Sequence, residues 1–196
     1  MKSLVLASRN KNKIEELQQL LSPLGIALKS ALDFPELQEV DEDQPTLEGN
    51  ALKKARYVAE ITGLPSLSDD TGLEVDALDG APGVYSARYA GENATYADNV
   101  NKLLGALNQV RKEGRSARFR TVVALVDPFS GKEHCFEGKC EGQILSARQG
   151  EKGFGYDPIF LPNGYEQSFA EMTADIKNRI SHRGRAIQAF VKFLGV

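Results

Sequence analysis

The sequence predicts an α/β fold in one domain that covers residues 1–196. Short apolar runs typical of strands alternate along the chain with segments whose apolar residues recur at helical spacing. No internal repeat, low-complexity tract or Gly/Ser/Pro-rich linker interrupts that order, so nothing marks a boundary between domains. With 196 residues and 41% hydrophobic content, the chain is long enough to build a substantial core.

The first elements are predicted from two apolar patterns. Residues 4–7 form a short apolar run bounded by polar residues, which predicts a strand. A helix follows, because apolar residues recur at helical spacing at Ile14, Leu17, Leu21 and Leu24. Gly25 ends that helix, a second strand is expected across residues 26–32, and the acidic segment 35–45 has the composition of a loop.

A long helix is predicted between Thr46, which is a good N-cap, and Gly63 with Pro65, which end it. Its apolar stripe consists of Leu47, Ala51, Ala55, Val58, Ala59 and Thr62. Two further helices are marked by Val100, Leu103, Leu104 and Leu107 and by Ile187, Phe190, Val191 and Leu194. Strands are predicted at 73–75, 117–126, 133–137 and 142–145.

The composition limits the partners that the protein can have. A formal net charge of −3 argues against duplex nucleic acid, since that binding needs many cations on one face, but a local cationic pocket for a small polyanion remains compatible. No apolar run reaches about 18 residues, so we expect no membrane span, no signal peptide and a cytoplasmic location. Cys135 and Cys140 lack the spacing of a zinc ribbon and are expected to be buried or semi-buried thiols.

The turn between the first strand and the first helix is a candidate phosphate site. Its residues are Ser8, Arg9, Asn10, Lys11, Asn12 and Lys13. A helix start offers free backbone N–H groups and the positive end of the helix dipole, and the basic side chains add charge. The Gly-rich spacing of a Walker loop is absent, and the alternative is a capped helix start with solvated lysines.

A second candidate follows the apolar run 64–67, where Asp69 and Asp70 precede Thr71 and Gly72. Two carboxylates at a strand end, followed by a hydroxyl and a turn glycine, can hold a hard cation and orient a water. The alternative is an Asx turn that caps the strand. The acidic residues of segment 35–45 could add oxygens or be solvated, and Lys54, outside the apolar stripe, could bind phosphate or be solvated.

Two more candidates lie near the C-terminus. In the first, Gly153, Phe154, Gly155, Tyr156, Asp157 and Pro158 combine small residues that let backbone approach a ligand with aromatics that can stack on a base. A structural turn would look similar. The second combines Lys177 with His182 and Arg183, which follow the predicted N-cap Ser181. Positive charge in the first turn of a helix favours a bound anion.

Taken in order, these segments resemble the Ham1 family of inosine/xanthosine triphosphate pyrophosphatases from residue 4 to residue 194. The resemblance rests on Ser8, Asn10 and Lys13, and on residues 50–55, 69–73, 80–83, 86–89, 153–158 and 181–183. It implies an elongated mixed β-sheet with flanking helices, two lobes around a central nucleotide-binding cleft, and a homodimer. It also implies Mg²⁺-assisted hydrolysis of ITP, dITP and XTP to the monophosphate and pyrophosphate.

Carried over residue by residue, the resemblance implies triphosphate contacts from residues 8–13 and Lys54. The implied nucleotide contacts are Thr71, Phe154, Gly155, Tyr156, Asp157, Lys177, His182 and Arg183. Asp70 resembles the metal-linked general base that activates water for attack on the α-phosphorus. Glu42 is taken as the second metal ligand, with Asp41, Glu36 and Asp69 as competing candidates.

Two departures from the family are visible in the sequence. Many relatives carry Thr-Phe-x-Glu-Asn-Ala where this chain has Gly49 in the place of the acid, one position after Glu48. The acidic segment also aligns loosely with the family, which is why Asp41 and Glu36 compete with Glu42 as the second metal ligand.

A donor that meets the 6-oxo group of the purine, from Arg183 or from backbone near Phe154, would reject ATP. Two other functions fit the same segments: a Maf-like pyrophosphatase for modified pyrimidines, and a nucleotide-binding regulator without catalysis.

Overall fold

The structure, a computed structural model, describes residues 3–195. Within that range the chain forms one mixed sheet, and its strands are β1 (Ser3–Leu6), β2 (Ala27–Ser30), β3 (Ser66–Val75), β4 (Pro82–Gly83), β5 (Ser116–Asp127), β6 (Lys132–Ile144) and β7 (Phe160–Pro162). The α-helices are α1 (Lys11–Leu21), α2 (Leu47–Thr62), α3 (Tyr96–Ala106), α4 (Ala174–Ile180) and α5 (His182–Leu194). The prediction of an α/β fold with a mixed sheet and helices is therefore confirmed.

The strand order of the sheet is β2-β1-β3-β5-β6-β7, with β4 paired to β3. β1 runs parallel to both β2 and β3, with Val5 opposite Ser66 and Leu6 opposite Leu67. β4 is antiparallel to β3, and β7 is antiparallel to β6. Chain connectivity alone explains the parallel pairs, because α1 and α2 supply the crossovers that parallel strands need.

The chain divides into two compact units. The first unit contains the residues up to Asp70, Thr121–Gly138 and the residues from Arg183 onward, and the second contains Thr71–Arg120 and Lys139–His182. Strands β3, β5 and β6 each contribute residues to both units. The expectation of a single domain over 1–196 stays a prediction.

In the first unit, β1 is buried on both faces, which explains its unbroken apolar run. Leu4 and Leu6 point into a core that also contains the buried stripe of α1, namely Ile14, Leu17 and Leu21, and the stripe of α5, namely Ala186, Ile187 and Phe190. Val5 points to the other face, where it packs with Val58 of α2. Alternation along β1 thus divides the apolar side chains between two clusters.

The core of the second unit is built on aromatic rings. Phe119 of β5, Phe160 of β7 and Phe169 contact one another, with ring centroids 4.7 to 6.0 Å apart. The helix α3 adds Val100 and Leu103, at the spacing that the sequence predicted for this helix. These contacts fix the frame on which the segment 153–158 is held.

Two strand predictions were too short. The turn predicted at residues 69–72 is wrong, because β3 runs unbroken from Ser66 to Val75 and places Asp69 and Asp70 in its middle. The strands predicted at 133–137 and 142–145 are one strand, β6. Its buried positions alternate strictly, but several are Gly138, Cys140 and Gly142, which carry little apolar signal.

Two smaller differences from the sequence analysis concern helix α4 and Cys135. Helix α4 was not predicted, and Ser181 lies between α4 and α5, as the residue that ends the first and precedes the second. The free thiol of Cys140 is buried as expected, but Cys135 is exposed. None of the helices in residues 3–195 is both long and apolar enough to cross a bilayer.

Candidate active site

Seven charged side chains of the first unit form one connected group, called here the charged cluster: Lys13, Glu16, Glu42, Lys54, Asp69, Asp70 and Arg183. They come from four elements and one loop. Lys13 and Glu16 lie in α1, Lys54 in α2, the two aspartates in β3, Arg183 in α5 and Glu42 in the acidic segment 35–45. Sequence reasoning named six of these residues but gave Glu16 no role.

The helix start that carries Lys13 is built as a capped N-terminus. The Asn10 Oδ1 atom accepts hydrogen bonds from the backbone N–H groups of Asn12 at 3.1 Å and Lys13 at 3.4 Å. Ser8 Oγ in turn accepts from the Asn10 N–H at 3.2 Å. The cap that was the alternative interpretation is therefore present, and it fixes where Lys13 leaves the helix.

Arg9 and Lys11 lie outside the charged cluster, although both belong to the candidate phosphate segment. Both residues are exposed, and Arg9 donates from Nη2 to the carbonyl oxygen of Leu37. Of the basic residues in segment 8–13, the structure thus brings Lys13 to the carboxylates of β3. A phosphate role for Arg9 and Lys11 stays a prediction.

Asp69 is buried and is held by two cations. Its Oδ2 atom accepts from Arg183 Nε at 3.2 Å and Nη2 at 3.0 Å, and Lys13 Nζ lies 3.2 Å away. Burial by itself raises the pKa of Asp69, but Lys13 and Arg183 together lower that pKa far below its usual value. Asp69 is therefore ionised, and its Oδ2 atom is already paired with Arg183 and Lys13, which makes it a poor candidate for the second metal ligand.

Asp70 has the opposite electrostatic setting, although it is the next residue. Its Oδ1 atom accepts from Lys54 Nζ at 3.0 Å and its Oδ2 atom from Asn50 Nδ2 at 3.2 Å. Burial raises the pKa of Asp70 to about 6, Lys54 opposes the rise, and the Glu42 carboxylate adds to it. A carboxylate with a raised pKa is typical of a group that exchanges protons or binds a cation.

Lys54 joins the two carboxylates. Its Nζ atom donates to Glu42 Oε1 at 2.5 Å, to the backbone oxygen of Asp69 at 2.9 Å and to Asp70 at 3.0 Å. Burial lowers the pKa of Lys54, but Asp70 and Glu42 raise it by more. The alternative of a solvated lysine is wrong, because the side chain is only 7% exposed.

Glu42 is the acidic-segment residue that reaches Asp70. Burial raises the pKa of Glu42, yet its net pKa is lowered, because Lys54 and, more weakly, Lys13 favour the charged form. The competing candidates Asp41 and Glu36 are exposed and contribute no carboxylate to the charged cluster. Among the candidates, the geometry thus favours Glu42 with Asp70 as the pair of oxygen ligands.

The donor set of the charged cluster fits Mg²⁺. Across residues 3–195, no group of three or more His, Cys, Asp or Glu side chains is arranged to hold a metal ion by itself. Mg²⁺ commonly uses one or two carboxylates and completes its shell with phosphate oxygens and water. The cluster also has one more carboxylate than it has basic groups, so a polyphosphate would be repelled unless a cation accompanied it.

A different set of residues surrounds Asp157 in the second unit. This aromatic cluster consists of Phe119, Phe154, Asp157, Phe169, Lys177 and His182. Asp157 Oδ2 accepts from Lys177 Nζ at 2.7 Å and from the Phe154 N–H at 2.8 Å. Because a Cβ at Gly153 would lie 2.1 Å from that oxygen, only glycine fits there. The structural turn that was the alternative interpretation of segment 153–158 is therefore present.

Lys177 is buried against aromatic rings as well as against Asp157. Its Nζ atom lies 5.1 Å from the centroid of Phe154 and 5.7 Å from that of Phe169. Phe154 itself is half-buried and lies 6.0 Å from the ring of Tyr96 in α3. A half-buried ring beside a buried ammonium group combines a surface for stacking with a positive charge.

Two residues that were predicted to contact nucleotide are core residues. Tyr156 is 5% exposed and donates from its hydroxyl to the backbone oxygen of Ser86 at 2.9 Å, and burial raises the pKa of that hydroxyl. His182 is buried and stacks on Phe119 at 4.4 Å. Thr71 is half-buried in β3 and Gly155 is half-buried with φ of 61°. Nucleotide contacts from these four residues stay predictions.

The buried amide of Asn50 is the main residue that sequence reasoning left without a role. It is 0% exposed, lies on the inner face of α2 and donates to Asp70. A polar residue next to the apolar stripe of a helix was the available signal, because buried amides need hydrogen-bond partners. The partners themselves come from β3 and the acidic segment, which the pattern of α2 does not reveal.

Comparison with known proteins gives one consistent result. The model of the Ham1 family matches residues 4–193. The dITP/XTP pyrophosphatase of Desulforamulus reducens is 51% identical over 97% of this chain and 94% of its own length, and that of Geobacter sulfurreducens is 50% identical over 100% and 98%. Among solved structures, a HAM1 protein from Coxiella burnetii superposes with a TM-score of 0.89 at 41% identity, covering 100% of this chain and 99% of the other.

Proposed function

Because the chain belongs to the Ham1 family, we propose that it hydrolyses deaminated purine nucleoside triphosphates, namely ITP, dITP and XTP, to the monophosphate and pyrophosphate. One structural observation carries the proposal for the chemistry. The buried carboxylate of Asp70 and the partly exposed carboxylate of Glu42 converge on Lys54, so that two hard oxygen ligands and a cation that can bind phosphate lie together. We also propose a homodimer and a cytoplasmic location.

The charged cluster is proposed to bind the triphosphate and its metal. Asp70 and Glu42 would hold Mg²⁺, and Lys13 and Lys54 would neutralise the remaining phosphate charge. The bound ion supplies Lewis-acid polarisation of the phosphate oxygens. Asp69 and Glu16 bind the Arg183 guanidinium, so we assign Arg183 to positioning Asp69 and, through it, Lys13.

Asp70 is the proposed general base. A water molecule attacks the α-phosphorus, a new P–O bond forms, and the bond between the α-phosphorus and the bridging oxygen breaks, so that pyrophosphate leaves. The proton of the water passes to Asp70, which Lys54 and Asn50 orient from opposite oxygens. No cysteine or serine nucleophile is required.

The aromatic cluster is proposed to bind the base. Phe154 offers its ring for stacking, and the neighbouring Lys177 ammonium group, which also pairs with Asp157, is proposed to face the 6-oxo group. ATP carries a 6-amino group, which would set a donor against the donors of the ammonium group. Hypoxanthine and xanthine both carry the oxo group and would be accepted.

A substrate panel with identified products tests this function. ITP, dITP, XTP, ATP, GTP and modified pyrimidine triphosphates are each incubated with the protein and Mg²⁺, and the products are separated by chromatography. We expect IMP and pyrophosphate from ITP, with far slower turnover of ATP. Preferred hydrolysis of pyrimidine triphosphates would indicate the Maf-like activity, and ITP that stays intact would indicate a nucleotide-binding regulator. Release of inorganic phosphate alone would indicate a phosphatase. Each of these three results would overturn the proposal.

A further inference from the structure

The acidic segment that carries Glu42 is fastened to α2 on both sides of that residue. Lys53 Nζ donates to the backbone oxygen of Asp41, before Glu42, at 2.9 Å and to Asp43 Oδ1, after it, at 2.8 Å. Also after Glu42, the Gln44 N–H donates to Asn50 Oδ1 at 2.9 Å. Glu42 lies between these attachments, so its backbone has little freedom to move relative to the helix.

Asn50 connects this attachment to Asp70. Its Oδ1 atom accepts from the Gln44 N–H, and its Nδ2 atom donates to Asp70 Oδ2 at 3.2 Å. A backbone N–H can only donate, so the amide must turn its oxygen toward Gln44 and its nitrogen toward the carboxylate. One buried side chain therefore fixes both the segment with Glu42 and one oxygen of Asp70.

Gly49 contributes because there is no room for a side chain between this residue and the acidic segment. A Cβ at this position would lie 2.8 Å from Gln44 Cβ and 3.2 Å from Thr46 Oγ1. The first approach is shorter than real Cβ contacts and the second is tighter than most of them, and Gln44 Cβ cannot swing away without moving its backbone. The absence of a side chain at residue 49 thus lets the acidic segment lie directly on α2, which gives a physical reason for the departure from the family's usual acid.

We propose that Asn50, Lys53 and Gly49 act as positioning residues: they clamp Asp41–Gln44 onto helix α2 and so hold Glu42 beside Asp70 before Mg²⁺ arrives. The assignment of Glu42 and Asp70 as ligands rests on the proposed function. Holding two carboxylates together costs electrostatic free energy, which a mobile segment would avoid by moving Glu42 away. The clamp, together with Lys54, prevents that and leaves the oxygens preorganised for the ion.

The first experiment measures the clamp without nucleotide or metal, by amide hydrogen exchange at Gln44. Asn50→Leu removes the acceptor, and we expect exchange at Gln44 to become about tenfold faster. Asn50→Asp keeps an oxygen acceptor for that amide, so protection at Gln44 should persist. Equal protection of Gln44 in wild type and Asn50→Leu would overturn the proposal.

The second experiment measures the Mg²⁺ concentration that gives half-maximal ITP hydrolysis. Lys53 is partly exposed, so Lys53→Met is expected to fold, to raise this concentration about two- to fivefold and to change kcat less. Lys53→Arg should restore the wild-type value, because it keeps both hydrogen bonds. Gly49→Ala should also raise the Mg²⁺ requirement, although alanine favours helix.

A matched control separates positioning from general destabilisation. Arg56 lies on the same helix and pairs with Glu133, away from the acidic segment, so Arg56→Met should leave the Mg²⁺ requirement unchanged. If Lys53→Met and Arg56→Met shift it equally, or if neither does, the clamp is wrong. If no triphosphate is hydrolysed but the Gln44 exchange results are as expected, the proposed function fails and the clamp stands.

Discussion

The charged cluster and the aromatic cluster solve the problem of buried charge in different ways. In the charged cluster, Lys54 contacts both Glu42 and Asp70, so each carboxylate shares its cation with another. In the aromatic cluster, Asp157 meets Lys177 in one buried pair, and aromatic rings fill the rest of the surroundings. The first arrangement leaves negative charge that a metal ion can compensate, whereas the second is already balanced.

Within the charged cluster, two neighbouring carboxylates have opposite electrostatic settings. Asp69 and Asp70 are consecutive, but residues on a strand point alternately to opposite faces, so they meet different partners. The pKa of Asp69 is lowered by Lys13 and Arg183 in spite of its burial, whereas burial raises the pKa of Asp70 to about 6. One aspartate therefore organises cations and the other remains available for chemistry.

The largest effect is expected from Asp70→Asn, which tests whether Asp70 is the aspartate that takes part in the reaction. If Asp70 is the general base, kcat for ITP should fall by about 10²–10⁴-fold, while nucleotide binding measured by calorimetry persists. Glu74→Gln, on the same strand but paired with Arg118 and Arg120, is the matched control and should retain turnover. Near-normal turnover of Asp70→Asn would remove this residue from the mechanism.

The balanced pair in the aromatic cluster is tested by its effect on stability. Asp157→Asn leaves the buried Lys177 ammonium group without its counter-ion, and should lower the free energy of unfolding in urea by about 3–5 kcal/mol. Adding Lys177→Met to Asp157→Asn should recover part of that loss, because the unpaired charge is then gone. Equal losses in the single and the double variant would show that the ion pair is not what stabilises this region.

The hydroxyl of Tyr156 predicts a smaller effect in the same unit. Tyr156→Phe removes the donor to the Ser86 carbonyl and should lower the free energy of unfolding by about 1–2 kcal/mol. Tyr165→Phe, at an exposed tyrosine, should change it by less than about 0.5 kcal/mol. The measurement is again urea unfolding, and identical values for the two variants would contradict a structural role for the Tyr156 hydroxyl.

The smallest effect is expected at an exposed ion pair of the first unit. Arg56 and Glu133 pair at 2.6 Å with solvent around them, so Arg56→Met should cost less than about 1 kcal/mol of unfolding free energy. The difference from wild type should shrink in 1 M NaCl, because salt screens exposed charges. A larger loss that salt does not reduce would mean that Arg56 supports this unit through something other than an exposed ion pair.

Local patterns predicted the elements that local interactions define. The helix predicted between Thr46 and Gly63 is observed as Leu47–Thr62, with Thr46 Oγ1 accepting from the Gly49 N–H and Gly63 in the left-handed region. Helix α1 begins at Lys11, directly after Asn10, whose side chain caps it, in agreement with the alternative of a capped helix start. Caps and apolar periodicity involve residues within a few positions of one another, so a sequence can display them directly.

Prediction failed where distant contacts override local preference. The run Asp69 to Gly72 has the composition of a turn, yet it lies within β3, which is paired in the sheet, and Lys13, Lys54 and Arg183 pair with its aspartates. Lys54 lies outside the apolar stripe of its helix, yet it is buried beside carboxylates from other elements. In both cases the partners come from distant parts of the chain, which local composition does not reveal.

The amino-acid sequence was sufficient to predict the alternation of strands and helices, the ends of the long capped helix and the ordered motifs typical of the family. Which charges meet depends on the tertiary structure, because Arg183 and Asp69, for example, are 114 positions apart in the chain. Ionisation depends on burial and on the distances between charged atoms, and neither is encoded in any short segment. The separate roles of Asp69 and Asp70 therefore emerge only once β3 is packed among its cations.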